Sequence, residues 1–235
     1  MSSKENMESK SALLIGASGL VGGHCLLQLL EEPSYTQVIV LVRRPLPVIH
    51  EKLVQQISDF DELESLGKCP PVDDVYCCLG TTIKKSGTQE AFRKVDFDYP
   101  VKLAALTQHC GANQFLLISS MGANPHSRIF YNRVKGEVEE AIRKISFKAF
   151  HIFRPSLLLG KRVEHRPGEQ VGAVAMTALK YAMIGPFRTY RAILAKDVAQ
   201  AMVRVAQMDR TGVNIYDSQS IQKIADGADT RHQVE

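Results

Sequence analysis

The chain has 235 residues, 45% of them hydrophobic and 23% charged, with a formal net charge of +4. That composition belongs to a globular protein able to bury a core, and the charge is too small to argue for nucleic acid. No apolar run reaches the ~18 residues that span a bilayer, and neither the cysteines nor the seven histidines show metal-ligand spacing, so no membrane span and no metal is expected.

Residues 1–10 are polar and mixed in charge, a disordered terminus rather than a signal peptide. Ala12 to Ile15 then read as a buried strand, and Gly16, Gly19 and Gly22 follow at once, with an apolar helix from Leu20 to Glu32. A nucleotide pyrophosphate needs this order. The first glycine turns the chain tightly, the second admits the phosphates to the backbone, and the third packs the helix on the strand. The phosphates then sit on the open N–H groups of the helix N-terminus.

Gln37 to Val42 is apolar throughout, as in a strand covered on both faces, and Arg43-Arg44-Pro45 closes it. In a dinucleotide-binding sheet this strand end meets the adenosine ribose, where an acid suits a free 2′-hydroxyl and arginine a 2′-phosphate. Two arginines and no acid point to NADP(H); a solvated basic turn is the bland alternative. A short strand at Val54 to Ile57 leads to Asp59, whose carboxylate is placed to meet the adenine amino group. Val75 to Cys78 is a fourth strand, and Leu79, Gly80 and Thr81 follow at its carboxyl end, where open α/β sheets bind ligands.

Helical patterns cover Gln89 to Val95 and Tyr99 to His109. Gln114 to Ile118 is a strand ending in Ser119-Ser120, Ile129 to Arg143 a helix, and Ala149 to Phe153 a strand stopped by Arg154-Pro155. Further on come a charged loop, a helix over 170–182, a helix begun by Asp197, a strand at Val213 to Tyr216, and a helix at Ser218 to Ala225. This alternation predicts an α/β fold: a doubly wound, mostly parallel sheet with helices on both faces. It forms a single domain over 11–225, with a small cap over about 156–192 and a mobile tail over 226–235. The odd count of cysteines (Cys25, Cys69, Cys77, Cys78, Cys110) fits buried thiols in a reducing compartment and suggests a cytoplasmic location.

Tyr131 and Lys135 form the chain's single Tyr-x-x-x-Lys pair, one helical turn apart on one face. An ammonium beside a phenol favours the phenolate, so the tyrosine can exchange a proton with a carbonyl or alcohol oxygen. A serine at the preceding strand end can hold the same oxygen. The glycines, this serine and the Tyr131/Lys135 pair, in that order, resemble the short-chain dehydrogenase/reductase superfamily, with the glycine spacing of its extended and atypical branches. More narrowly, Cys77 to Thr82, Phe92 to Asp98, Tyr131 to Glu137 and Arg154 to Gly160 resemble the group of the human Tat-interacting protein of 30 kDa and its bacterial relatives.

The resemblance implies a pyrophosphate loop from Gly16 through Ser18, Gly19 and Leu20 to Val21. It implies a 2′-phosphate contact at Arg43 or Arg44, and a cofactor-lining loop at Leu79, Gly80 and Thr81. Tyr131 would be the proton donor and acceptor, and Lys135 would hold the nicotinamide ribose. Pro155, Leu157 and Leu158 would flank the nicotinamide. Ser119 fits the superfamily's Ser-x-x-Gly pattern better than Ser120, which stays an alternative. The chain departs from the extended branch in two places: Val95-Asp96-Phe97 stands where that branch has Val-Asn-Val, and the segment after Arg154 is too short for a nucleotide-sugar domain.

Three functions compete: an NADP(H)-dependent oxidoreductase on a small carbonyl or alcohol, a cofactor-sensing regulator with a protein partner, and a sugar-nucleotide epimerase. Lys161, Arg162, His165, Arg166, Arg188 and Arg191, in the expected cap, hint at an anionic substrate. The superfamily admits a monomer or a homodimer.

Overall fold

The computed structural model describes residues 9–61, 71–160 and 192–228. Its organising strand is β1 (Lys10–Ile15), whose last four residues are buried, flanked by β2 (Tyr35–Val42) and β4 (Asp74–Cys77). The seven-stranded sheet has the order β3-β2-β1-β4-β5-β6-β9, where β3 is Leu53–Ile57, β5 Gln114–Ile118, β6 Ala149–Arg154 and β9 Gly212–Asp217. All six neighbouring pairs are parallel. The order reverses between β1 and β4, which opens a crevice at the carboxyl ends of the strands, the usual ligand position in such sheets.

Both faces of the sheet are covered. One carries α1 (Leu20–Glu31), α6 (Ala195–Ala206) and α7 (Ser218–Ala225), packed through Cys25, Leu26, Leu29, Val198, Met202 and Ile221. The other carries α4 (Tyr99–His109) and α5 (Phe130–Arg143), packed through Leu103, Ala104, Val138 and Ile142 against Leu13, Ile15, Phe115 and Leu117. Each such fully buried aliphatic contributes roughly 1.5–3 kcal/mol of transfer free energy.

Three features differ from the sequence reading. Helix α2 (Ile83–Ser86), capped by the Thr82 hydroxyl, was not anticipated. The two expected helices around residue 97 are one continuous path, in which α3 (Gln89–Arg93) passes through a π-helical turn at Lys94–Asp98 into α4. That wider turn carries Asp96 inward, where it is 1% exposed; sequence periodicity at 3.6 residues per turn cannot register the change. Third, β7 (Leu158–Leu159) and β8 (Ile193–Leu194) form a small parallel pair. The expected helix over 170–182 and most of the expected cap, with the basic residues assigned to it, lie outside the described residues.

Candidate cofactor and active site

At the end of β1, Gly16 takes a φ of +87°, a region that penalises any Cβ. A Cβ there would also lie 2.6 Å from the Cys78 carbonyl, and one at Gly22 would lie 2.1 Å from the Gly16 oxygen. Loop, strand β4 and helix α1 thus meet backbone to backbone. The Gly19 amide donates to the Gly16 carbonyl at 2.8 Å, and no side chain caps α1. The first turn of α1 therefore keeps N–H groups for an anion, and a diphosphate fits this cradle. Ser18 is exposed beside it, Leu20 half-buried and Val21 buried.

Arg43 and Arg44 stand exposed just past β2. Pairing of Val42 with Ile57 sets this turn beside the loop after β3, and the Ser58 amide donates to the Val42 carbonyl at 3.0 Å. Asp59, in that loop, is exposed and accepts from the Asp61 amide at 3.1 Å. The three side chains assigned to the adenosine end share one edge of the sheet.

Helix α5 carries two adjacent rows. Val134, Val138 and Ile142 are fully buried and hold the helix to the sheet. Tyr131, Lys135 and Glu139, at i, i+4 and i+8, form a polar row beside them. Gly136 lets the loop after β5 cross this helix: a Cβ there would lie 2.1 Å from the Pro125 nitrogen. The Asn124 amide donates to the Asn132 carbonyl at 3.0 Å, which pins the loop. Phe92 of α3, completely buried, packs at 5.5 Å centroid distance against the Tyr131 ring and at 5.7 Å against Phe130. The Tyr131 hydroxyl, half-buried, makes no hydrogen bond among the described residues.

Lys135 is 3% exposed, and its ammonium lies 2.8 Å from Asp96 Oδ1. Burial pulls the lysine pKa down, but the Asp96 carboxylate, and next the Tyr131 phenol, outweigh it, so the net shift is upward and the amine stays charged. The other Asp96 oxygen accepts from the Thr81 amide at 2.9 Å. A Cβ at Gly80 would lie 3.8 Å from Asp96 Oδ1 and 4.0 Å from Lys135 Nζ. The loop after β4, with Leu79 buried behind it, therefore ends on the lysine–aspartate pair.

The two serines are in different situations. The buried Ser119 hydroxyl donates to Glu139, whose carboxylate also takes the Arg154 guanidinium at 3.1 Å (Nε) and through Nη2. Ser119, preferred on the sequence pattern, is thus engaged by Glu139 of a part-buried ion pair. The Ser120 hydroxyl is enclosed and has no hydrogen-bond partner among the described residues. Pro155, buried, accepts from the Met121 amide at 3.1 Å, so its segment borders the serine loop. Beyond it Leu157 is exposed and Leu158 half-buried in β7. Among the described residues no group of three His, Cys, Asp or Glu side chains could hold a metal, and no helix is long and apolar enough to cross a membrane.

Sequence reasoning missed Glu139 and Arg154 and saw Asp96 only as a departure. Glu139 carried a usable signal: it continues the Tyr131/Lys135 row by one more turn on a helix whose neighbouring row is apolar.

The chain matches the NAD dependent epimerase/dehydratase family over residues 12–217. It is 38% identical over 167 residues to Protein HTATIP2 of Rattus norvegicus, covering 69% of each chain. To Protein FMP52, mitochondrial, of Eremothecium gossypii it is 32% identical over 218 residues, covering 90% of this chain and 95% of that one. The fold is similar to human epimerase family protein SDR39U1 with NADPH, at a TM-score of 0.59 and 16% identity, covering 88% of this chain and 74% of that one.

The mitochondrial relative overturns the expectation of a cytoplasmic protein. Free thiols mark a reducing surrounding without telling one such compartment from another. With the glycine cradle, the parallel sheet and the family match over 12–217 in agreement, the chain belongs to the NAD dependent epimerase/dehydratase family.

Proposed function

We propose that the protein is an NADP(H)-dependent oxidoreductase acting on a small carbonyl or alcohol. The observation that carries this reading is the meeting of the β4 loop with a buried, charged Lys135 one helical turn from Tyr131, whose hydroxyl makes no hydrogen bond among the described residues. The diphosphate would rest on Gly16 to Val21, and Arg43 or Arg44 would take the 2′-phosphate, with Asp59 toward the adenine. Leu79, Gly80 and Thr81 would line the cofactor's path, and Pro155, Leu157 and Leu158 the nicotinamide end. The human relative by fold is described with NADPH, which suits the arginine pair.

When bound, the cofactor supplies or accepts hydride at its nicotinamide ring. The chain's part is to place and charge-balance the reacting oxygen. Ser120, whose hydroxyl has no hydrogen-bond partner among the described residues, would donate a hydrogen bond to the substrate oxygen. Tyr131 would give that oxygen its proton in reduction and remove it in oxidation, with the Lys135 ammonium one helical turn away. The Arg154–Glu139–Ser119 cluster would anchor the strand ends that present Ser120.

A panel of small aldehydes and ketones, followed by NADPH consumption, tests the reading. Wild type should turn over at least one, and Tyr131→Phe should lose on the order of 10²–10⁴-fold while still binding NADPH. Equal turnover by the variant, or none by wild type across the panel, would contradict it.

A further inference from the structure

Past β2 the chain turns through Arg43, Arg44 and Pro45, all exposed, and comes back over the same strand. There Leu46 is buried in one cluster with Val38, Val40 and Val42, and half-buried Val48 packs against that cluster. Pro45 and Pro47 flank Leu46, so the Leu46 amide is the one backbone donor between Arg44 and Val48. This return belongs to no strand or helix, so its polar groups need partners from elsewhere.

A single side chain supplies them. Gln55 of β3, opposite Val40 in the register, accepts from the Leu46 amide at 2.7 Å through Oε1. Its Nε2 donates to the Leu46 carbonyl and to the Val48 carbonyl, both at 3.1 Å. Both ends of the amide are used. A carboxylate of the same shape would accept from Leu46 but face two carbonyls with no proton to give, and an alkyl side chain would satisfy none of the three groups.

We infer that Gln55 is a positioning residue that sets the preference for a phosphorylated nucleotide: its amide locks the return over 45–48, and with it the turn that presents Arg43 and Arg44. The inference rests on the reading of those arginines as the 2′-phosphate contact. With the turn anchored, only side-chain freedom is lost when an arginine meets the phosphate; an unanchored turn loses backbone freedom as well, and binding weakens accordingly. The diphosphate cradle is built from the end of β1 and the start of α1, so a nucleotide without the 2′-phosphate does not sense the anchor.

The test is the binding of NADPH and of NADH to the full-length protein, each followed by the nucleotide's own fluorescence. Gln55→Glu and Gln55→Leu should each weaken NADPH roughly tenfold and leave NADH within about twofold. In the Arg43→Ala/Arg44→Ala background the same substitutions should weaken NADPH no further, because the anchor then has nothing to position. If Gln55→Leu does not fold, Gln55→Glu, which keeps the shape of the side chain, carries the comparison. A purely structural role would weaken both nucleotides alike. That result, or a ratio of the two affinities that stays at the wild-type value, overturns the inference. A wild-type protein that binds NADPH and NADH equally, or binds neither, would instead overturn the assignment of the arginines, so the two failures are distinguishable.

Discussion

Two tyrosine clusters at opposite ends of the sheet use the same chemistry to opposite ends. At the amino end, the Tyr35 hydroxyl donates to Asp74 at 2.5 Å, contacts the Tyr76 hydroxyl at 2.8 Å and accepts from Gln207 at 3.1 Å. Burial and then the Asp74 charge push the Tyr35 phenol well above its ordinary range, so it is locked as a neutral donor. At the carboxyl end, Tyr131 has a cation one helical turn away instead of an anion in contact, and its hydroxyl makes no hydrogen bond among the described residues. Saturation makes a phenol structural. A lysine neighbour and a hydroxyl without a partner among the described residues mark the one proposed to exchange a proton.

The largest expected effect that sharpens this contrast is on turnover. Tyr131→Phe should cost on the order of 10²–10⁴-fold in rate with the melting temperature nearly unchanged. Tyr35→Phe should leave the rate constant and lower stability. Steady-state kinetics beside thermal melts on both variants would break the comparison if the two effects were exchanged.

Next in size is the charge pair. Lys135→Met leaves the Asp96 carboxylate buried without its cation and should destabilise the fold by about 3–5 kcal/mol, with the Asp96→Asn/Lys135→Met double variant recovering much of it. Urea unfolding of the single and double variants measures this. Additive losses would mean that the two side chains do not act together.

His151, fully buried between Gln114 at 3.0 Å and the Tyr216 hydroxyl at 3.1 Å, gives a pH test at the structural side of the comparison. Burial, and then Arg210, lower its pKa from 6.5 to about 4. The unfolded chain thus takes up a proton that the fold excludes, so stability is full above about pH 6.5 and falls as pH drops toward 4, by on the order of 3 kcal/mol. Unfolding at a series of pH values should show this slope, and His151→Gln should flatten it.

The smallest expected effect is that of Tyr35→Phe on stability, about 1–3 kcal/mol, because Asp74 then loses a donor inside the protein. A neutral result would mean that water or a neighbour replaces the hydroxyl, and the cluster would not be saturated in the sense argued above.

What the chain order revealed was whatever depends on neighbours in sequence. The glycines at 16, 19 and 22 carry their turn and helix with them. Tyr131 and Lys135 need only helical geometry to share a face, and the strand runs around Val40 and Leu117 are apolar because both sheet faces are covered. What stayed hidden was set by contacts across the fold. Asp96 reaches Lys135 only because a π-turn rotates it inward, and Ser119 is claimed by Glu139 from a different element. A pattern such as Ser-x-x-Gly marks the strand end but not which of two adjacent hydroxyls has been taken. Compartment was not legible at all, since composition reports the redox state around the thiols and not the organelle.

The central claim is that the carboxyl edge of the sheet holds a phosphorylated nicotinamide cofactor. A thermal-shift titration of the wild-type protein with NADPH and with NADH tests it most directly. Both should raise the melting temperature through the Gly16 to Val21 cradle. NADPH should act at lower concentration, and replacing Arg43 and Arg44 by alanine should erase that preference. No shift with either nucleotide would contradict the account.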